Sequence, residues 1–204
     1  MFMSLVEKIT EFDFAILNFI YENIRCDFLD PIMRALSHFA DKGIGWIIVG
    51  VILIFPKKTR KWGIMALVAM LIGFVFGELV LKNLIGRVRP YGDYHNYFGT
   101  SVPFALNAGT ESSSGFPSGH TCCSFASAFV YFKADKRWGI AALVLAGLIG
   151  FSRLYNYVHY PTDVLGGMVL GIASGLLTIF IYKKYFEDNF AVKNRLSVEP
   201  PQGE

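Results

Sequence analysis

The sequence has 204 residues, of which 53% are hydrophobic, and its mean hydropathy is +0.44. This length suits one domain, and this apolar content excludes an ordinary soluble globular protein. The formal net charge is only +3, so the composition gives no reason to expect a nucleic-acid partner. Three cysteines are too few for a disulfide framework, and the acidic start of the chain does not resemble a cleavable secretory signal.

Residues 1–42 carry two amphipathic patterns before the first clearly apolar block. In residues 4–24, apolar side chains recur at helical spacing among several acidic ones, which makes spanning a membrane costly. We therefore expect an interfacial helix there, with a sixth span as the alternative. Residues 29–40 predict a second amphipathic helix, starting at Asp30-Pro31 with a capping residue followed by proline.

Residues 43–186 contain five apolar blocks that are almost free of charge. They predict membrane-spanning helices, although several are shorter than the roughly 20 residues that a span needs. The blocks are 43–56, 62–81, 120–132, 138–151 and 164–182. The predicted fold is all-α: a polytopic membrane helical bundle with five or six transmembrane helices and N-terminal amphipathic interfacial helices.

The connections between the blocks alternate in charge. Residues 57–61, 133–137 and 183–184 are basic, so the positive-inside rule places them in the cytoplasm. Connections 82–119 and 152–163 then face the other side, where their cations are better explained by anion binding than by topology. Residues 90–116 predict a polar, substrate-side loop, and the charged segment 187–204 predicts a disordered cytoplasmic tail.

The second block ends in a basic motif, Lys82 to Arg89-Pro90. Proline ends the helix and leaves the Arg89 guanidinium at the boundary, where its planar fork suits a phosphate. For Lys82 the alternative is snorkelling toward lipid head groups. Arg87 would point away from Arg89 on a helix, so we expect a lipid-facing charge there. Glu78, one helical turn before Lys82, is expected to brace it.

Residues 117–120 read Pro-Ser-Gly-His and predict a helix start suited to an anion. Ser118 is a favoured N-cap residue, and Gly119 lets backbone N–H groups approach the anion at the positive end of the helix dipole. His120 then lies in the first turn, beside the anion. The alternative is an ordinary capped helix that carries a histidine.

Residues 152–163 supply Ser152, Arg153, His159 and Asp163. If a helix begins near residues 161–162, Asp163 can accept the Nδ1–H of His159, which fixes the tautomer and leaves Nε2 as a nucleophile. The alternative for His159 is an interfacial histidine within an aromatic belt of tyrosines.

The ordered trio K-x6-R-P, P-S-G-H and S-R-x5-H-x3-D at residues 82–163 resembles the signature of the type 2 phosphatidic acid phosphatase superfamily, integral membrane branch. The resemblance implies a phosphatase for lipid phosphates or diphosphates that uses no metal or other cofactor. It implies that His159 forms a phosphohistidine, that Asp163 orients His159 and that His120 is the general acid. It also implies that the phosphoryl oxygens are held by Lys82, Arg89, Ser118, Gly119 and Arg153.

Among members of this superfamily, we expect hydrolysis of undecaprenyl diphosphate to undecaprenyl phosphate, at the outer face of a bacterial cytoplasmic membrane, for cell wall biogenesis. This choice of lipid rests on analogy. Phosphatidylglycerophosphate and phosphatidic acid are alternative substrates, and a non-catalytic binder of lipid phosphates is an alternative of another class. The family's site also occurs in vanadium haloperoxidases. Those enzymes are soluble, and five apolar spans contradict a soluble protein, so we do not expect haloperoxidase activity. No set of Asp, Glu, His or Cys has metal-ligand spacing.

Overall fold

The computed structural model describes residues 5–93 and 114–187, which contain helices and no β-strand. The helices are α1 (Leu5–Asn23), α2 (Leu29–Phe39), α3 (Ile44–Ile54), α4 (Arg60–Phe74), α5 (Lys82–Ile85), α6 (Gly119–Ala134), α7 (Lys136–Tyr155) and α8 (Pro161–Tyr182). The 3-10 turn Asp41–Gly43 joins α2 to α3, and π-helical turns at Val75–Leu81 and Lys183–Glu187 continue α4 and α8. The all-α prediction is confirmed for this part of the chain. Most of the predicted loop 90–116 and nearly all of the predicted tail 187–204 lie outside it.

Three helical stretches are long and apolar enough to cross a membrane: Arg60–Asp93, Lys136–Tyr155 and Pro161–Phe186. Leu29–Phe39 and Asp41–Ile54, bent by 47° relative to each other, pass the same test only as a pair. The coarser prediction, a membrane bundle of several spans, therefore holds. The described ranges contain three or four candidate spans, and the finer count of five or six stays a prediction.

Helix α6 lies at the centre of the bundle, where it packs against α4, α7 and α8. It has 16 residues, and at about 1.5 Å per residue it is shorter than the roughly 30 Å hydrocarbon core of a bilayer. Fully buried alanines from α4, α6 and α7 form much of the core, whereas large side chains such as Leu71 and Val169 point outward. Small residues inside and apolar ones outside are typical of helices that associate within lipid.

The start of α6 lies close against the first half of α8. A Cβ atom on Gly171 would lie 2.4 Å from the carbonyl oxygen of Cys122, and one on Gly167 would lie 2.5 Å from that of Ser118. Only glycine permits these contacts, so the absence of a side chain at these two positions allows the helices to pack closely. The contact holds the Pro-Ser-Gly-His segment against the segment that begins at Pro161.

The N-terminal helices pack on the bundle through polar as well as apolar contacts. Phe14 and Leu17 of α1 lie against the buried rings of Tyr157 and Tyr160. In α2 the helix begins at Leu29 without a side-chain cap, so the expectation that Asp30 caps it is wrong. The Asp30 carboxylate instead accepts hydrogen bonds from Tyr155 and Arg25. The interfacial location of both helices stays a prediction.

We expect the substitution Gly171→Ala to lower the melting temperature of the detergent-solubilised protein, because a methyl group 2.4 Å from a backbone oxygen forces α6 and α8 apart. Gly147→Ala is the matched control, since a Cβ there meets nothing within 4 Å. In this control, alanine's higher helix propensity should leave the free energy of unfolding unchanged or raise it by up to about 1 kcal/mol. Equal drops in melting temperature in the two variants would contradict the importance of the contact between Gly171 and the Cys122 carbonyl.

Candidate active site

A cavity of about 510 Å³ lies where the ends of α4, α5 and α6 meet the connection between α7 and α8. Five of the eight predicted site residues line it: Lys82, Arg89, Gly119, His120 and His159. Of the other three, Ser118 and Asp163 are fully buried and Arg153 is almost so. The three sequence motifs therefore converge on one cavity.

Arg89 orients the lone pair of His159. Its Nη1 atom lies 3.3 Å from Nε2 of His159 and donates to the carbonyl oxygen of Val158 at 3.2 Å. A guanidinium offers only donors, so Nε2 acts as the acceptor in this contact. The neutral imidazole then carries its proton on Nδ1, and the basic nitrogen lies beside Arg89 in the cavity wall.

Asp163 lies on the other side of the His159 ring. Its Oδ2 atom is 3.5 Å from Nδ1 of His159 and accepts a hydrogen bond from the backbone N–H of Tyr160 at 3.0 Å. Helix α8 begins at Pro161, as predicted, which puts Asp163 in its first turn. The backbone N–H of Ser118 donates to the Asp163 carbonyl at 3.0 Å, so the second and third motifs are directly bonded.

The turn before His159 has an unusual backbone. Tyr157 has a φ of 59°, a left-handed conformation that is uncommon for residues other than glycine. Its hydroxyl donates to Asn18 of α1 at 2.7 Å. Burial raises the pKa of Tyr160 above its usual range, so its hydroxyl stays protonated and donates to Asp93 at 3.3 Å. The tyrosines here are buried against protein, so the alternative of an interfacial aromatic belt is wrong.

The start of α6 matches the predicted helix cap. The Ser118 hydroxyl accepts hydrogen bonds from the backbone N–H and the hydroxyl of Thr121, at 3.5 and 3.0 Å. Gly119 begins the helix, and a Cβ there would lie 2.5 Å from Oε1 of Glu78. His120 follows in the cavity wall with its Nε2 atom 3.9 Å from Oδ1 of Asp41.

Lys82 and Arg153 are buried cations with partners on other side chains. Lys82 contacts Glu78 at 2.8 Å, so the predicted brace is confirmed. Lys82 is also buried, so the alternative that it extends toward lipid head groups is wrong. Nη1 of Arg153 donates to the hydroxyl of Ser37 in α2. Buried cations gathered near one cavity are expected for a site that holds an anion.

Arg87 is the residue on which the sequence interpretation failed. It was expected to face lipid, but its two terminal nitrogens contact Asp13 at 2.7 Å and Asp163 at 2.9 Å, and its guanidinium stacks 4.0 Å from the ring centre of Tyr160. The helical projection was wrong because Gly86 ends α5 with a φ of 60°. Gly86 is itself a helix-stop signal that could have revealed the error.

Comparison with known proteins identifies the family. The sequence matches the PAP2 superfamily over residues 63–187. An undecaprenyl-diphosphatase of Sulfolobus acidocaldarius is 30% identical over 154 residues, covering 75% of this chain and 70% of that protein. Phosphatidylglycerophosphatase B of Bacillus subtilis is 34% identical over 184 residues, covering 80% and 78%.

A solved structure has the same fold. The crystal structure of a transmembrane PAP2-type phosphatidylglycerolphosphate phosphatase from Bacillus subtilis superposes with a TM-score of 0.59 and 28% sequence identity, covering 87% of this chain and 96% of that one. Together with the apolar helices and the motifs gathered around one cavity, these similarities show that the chain belongs to the PAP2 superfamily and is a membrane lipid phosphatase.

Proposed function

We propose that this phosphatase hydrolyses a polyprenyl diphosphate, undecaprenyl diphosphate, to the monophosphate in a bacterial cytoplasmic membrane. The observation that carries the phosphatase chemistry is His159, whose Nε2 faces Arg89 while its Nδ1 faces Asp163. The similarity to an undecaprenyl-diphosphatase supports the choice of lipid. Small residues line the cavity wall next to the charged groups, and the slender chain of a polyprenyl lipid fits beside them. This also supports the choice of lipid. These residues are Ala40, Gly43, Gly73, Gly77 and Cys122.

Side chains supply the positive charge that the phosphoryl oxygens need. Lys82 and Arg89 reach the cavity directly, and in a site shielded from water their attraction for an anion is much stronger than in solvent. We assign Ser118, Gly119 and Arg153 to the same oxygens. The backbone N–H groups at the start of α6 and the positive end of that helix support this assignment.

The first chemical step is attack by Nε2 of His159 on the terminal phosphorus. As the new N–P bond forms, the bond from phosphorus to the bridging oxygen breaks, and lipid phosphate departs. Arg89 then donates to a phosphoryl oxygen in place of Nε2. The phosphorylated ring keeps its proton on Nδ1 and is cationic, so the nearby Asp163 carboxylate stabilises it.

His120 handles the proton in both halves of the reaction. It donates a proton to the departing oxygen and afterwards takes one from the water that attacks the phosphohistidine, which releases inorganic phosphate and restores His159. Its position in the same cavity wall as His159 supports this role. Asp41, 3.9 Å away, is placed to stabilise positive charge on the His120 ring.

A second candidate function is phosphatidylglycerophosphate hydrolysis. It is favoured by phosphatidylglycerophosphatase B of Bacillus subtilis, whose similarity covers 80% of this chain, against 75% for the undecaprenyl-diphosphatase. The related crystal structure favours it as well. The chemistry would be the same except that the leaving group is an alkoxide, which depends more heavily on protonation by His120.

Substrate choice can be tested with purified protein in detergent. We expect kcat/KM, measured as inorganic phosphate release, to be at least tenfold higher for undecaprenyl diphosphate than for phosphatidylglycerophosphate or phosphatidic acid. His159→Ala controls for contaminating phosphatases and should release none. A preference for phosphatidylglycerophosphate would establish the second candidate and reject the first.

The two histidines should respond differently to the leaving group. We expect His159→Ala to abolish turnover of every substrate, because no other group forms the covalent intermediate. His120→Ala should slow hydrolysis of phosphatidic acid by about 10²- to 10⁴-fold but retain part of its rate on p-nitrophenyl phosphate, whose leaving group needs little protonation. The opposite pattern would show that the nucleophile and the acid are exchanged.

The cavity should open on the extracytoplasmic side. The basic connections 57–61 and 183–184 lie at one end of the bundle, since Lys61 is 5.8 Å from the ring centre of Tyr182, while α4 and α8 have their other ends at the cavity. In a variant without native cysteines, Ser101→Cys should react with an impermeant maleimide in intact cells, and Lys58→Cys only after lysis. The reverse labelling would invert the topology.

A further inference from the structure

Helix α1 carries a fully buried carboxylate, Asp13. Burying a charged group costs several kcal/mol unless it is paired and hydrogen-bonded, and Asp13 has such partners in two other parts of the chain. Its Oδ2 atom contacts Nη2 of Arg87 at 2.7 Å. Its Oδ1 atom accepts a hydrogen bond from the backbone N–H of Thr162 at 3.1 Å, and the Thr162 hydroxyl donates to Oδ2.

Arg87 connects this carboxylate to the catalytic one. Its Nη1 atom donates to Oδ1 of Asp163 at 2.9 Å and to the Thr162 hydroxyl at 2.6 Å. The other oxygen of Asp163, Oδ2, faces Nδ1 of His159 at 3.5 Å. The two ends of the guanidinium therefore contact two different carboxylates, and Asp163 has one oxygen toward Arg87 and the other toward His159.

We propose that Asp13 is a positioning residue for the phosphatase reaction, acting on Asp163 through Arg87. A guanidinium fork prefers to bind a single carboxylate with both of its nitrogens. While Asp13 occupies Nη2, Arg87 reaches Asp163 through Nη1 alone. Without the Asp13 charge, Arg87 can take both oxygens of Asp163 and compete with His159 for Oδ2. This inference rests on the roles proposed above for His159 and Asp163.

The inference gives α1 a part in the reaction although it precedes residues 63–187, the region that matches the family. Asp13 is not among the residues that line the cavity, so its effect should be on the chemical step and not on substrate binding. We expect Lys82 and Arg89, two of the cations that line the cavity, to keep their positions when Asp13 is changed.

The test is Asp13→Asn, which keeps the shape of the side chain and removes its charge. With p-nitrophenyl phosphate, whose rate reports on the nucleophile, we expect kcat to fall about 10- to 100-fold, as for small displacements of catalytic groups. KM and the inhibition constant for inorganic phosphate, which binds without bonding to His159, should stay within about twofold, as expected when only the catalytic step is affected. Thr10→Val is the matched control, because Thr10 is buried on the same face of α1 and, among the described residues, its hydroxyl bonds only to Val6. The kcat of this variant should equal that of the wild type.

A double-mutant cycle separates positioning from a general structural role. If Asp13 acts through Arg87, Asp13→Asn combined with Arg87→Gln should be no slower than Arg87→Gln alone. Additive losses, or a fall in kcat that merely follows the fraction of folded protein, would overturn the proposal. Should Asp13→Asn fail to fold, Arg87→Lys, which keeps the charge but lacks the fork whose two ends contact the two carboxylates, should give the same selective loss of kcat. Wild-type kcat in Arg87→Lys would also overturn it.

Asp163→Asn distinguishes failure of this inference from failure of the proposed function. Normal turnover in Asp163→Asn would remove Asp163 from the mechanism and the proposal with it. Strongly reduced turnover in Asp163→Asn together with normal turnover in Asp13→Asn would reject only the role of Asp13.

Discussion

The close contact between the starts of α6 and α8 is the constraint on which the site depends. Without a side chain at Gly167, α8 approaches within contact distance of the Ser118 carbonyl, and the Ser118 N–H then bonds to the Asp163 carbonyl. His120 and His159, 39 positions apart in the sequence, are thereby brought to one cavity. A larger residue at this contact would separate the two histidines before it affected either one directly.

Three carboxylates of the site each have a cation close by. Glu78 contacts Lys82, and Arg87 contacts both Asp13 and Asp163. Such pairing offsets the cost of removing these groups from water. Three cations and two carboxylates line the cavity, namely Lys42, Lys82, Arg89, Asp41 and Glu78. The remaining positive charge favours an anion, so the electrostatics match a phosphate before any substrate arrives.

Local sequence signals predicted the parts of the site that depend on local geometry. The cap at Ser118, the brace between Glu78 and Lys82, and the helix start that places Asp163 all follow from spacings of a few residues. The sequence could not predict that Arg87 meets Asp13, because these residues are 74 positions apart. Their contact depends on the end of α5 at Gly86 and on how α1 packs across the bundle.

Both N-terminal helices supply partners to arginines near the two histidines proposed to be catalytic. Asp13 of α1 contacts Arg87, and Ser37 of α2 accepts a hydrogen bond from Arg153. A buried guanidinium that loses its acceptor keeps the cost of desolvation without the compensating bond. Removing either helix would therefore disturb the charge balance around His159, even though neither helix carries a family motif. The N-terminal segment therefore contributes to the energetics of the candidate active site.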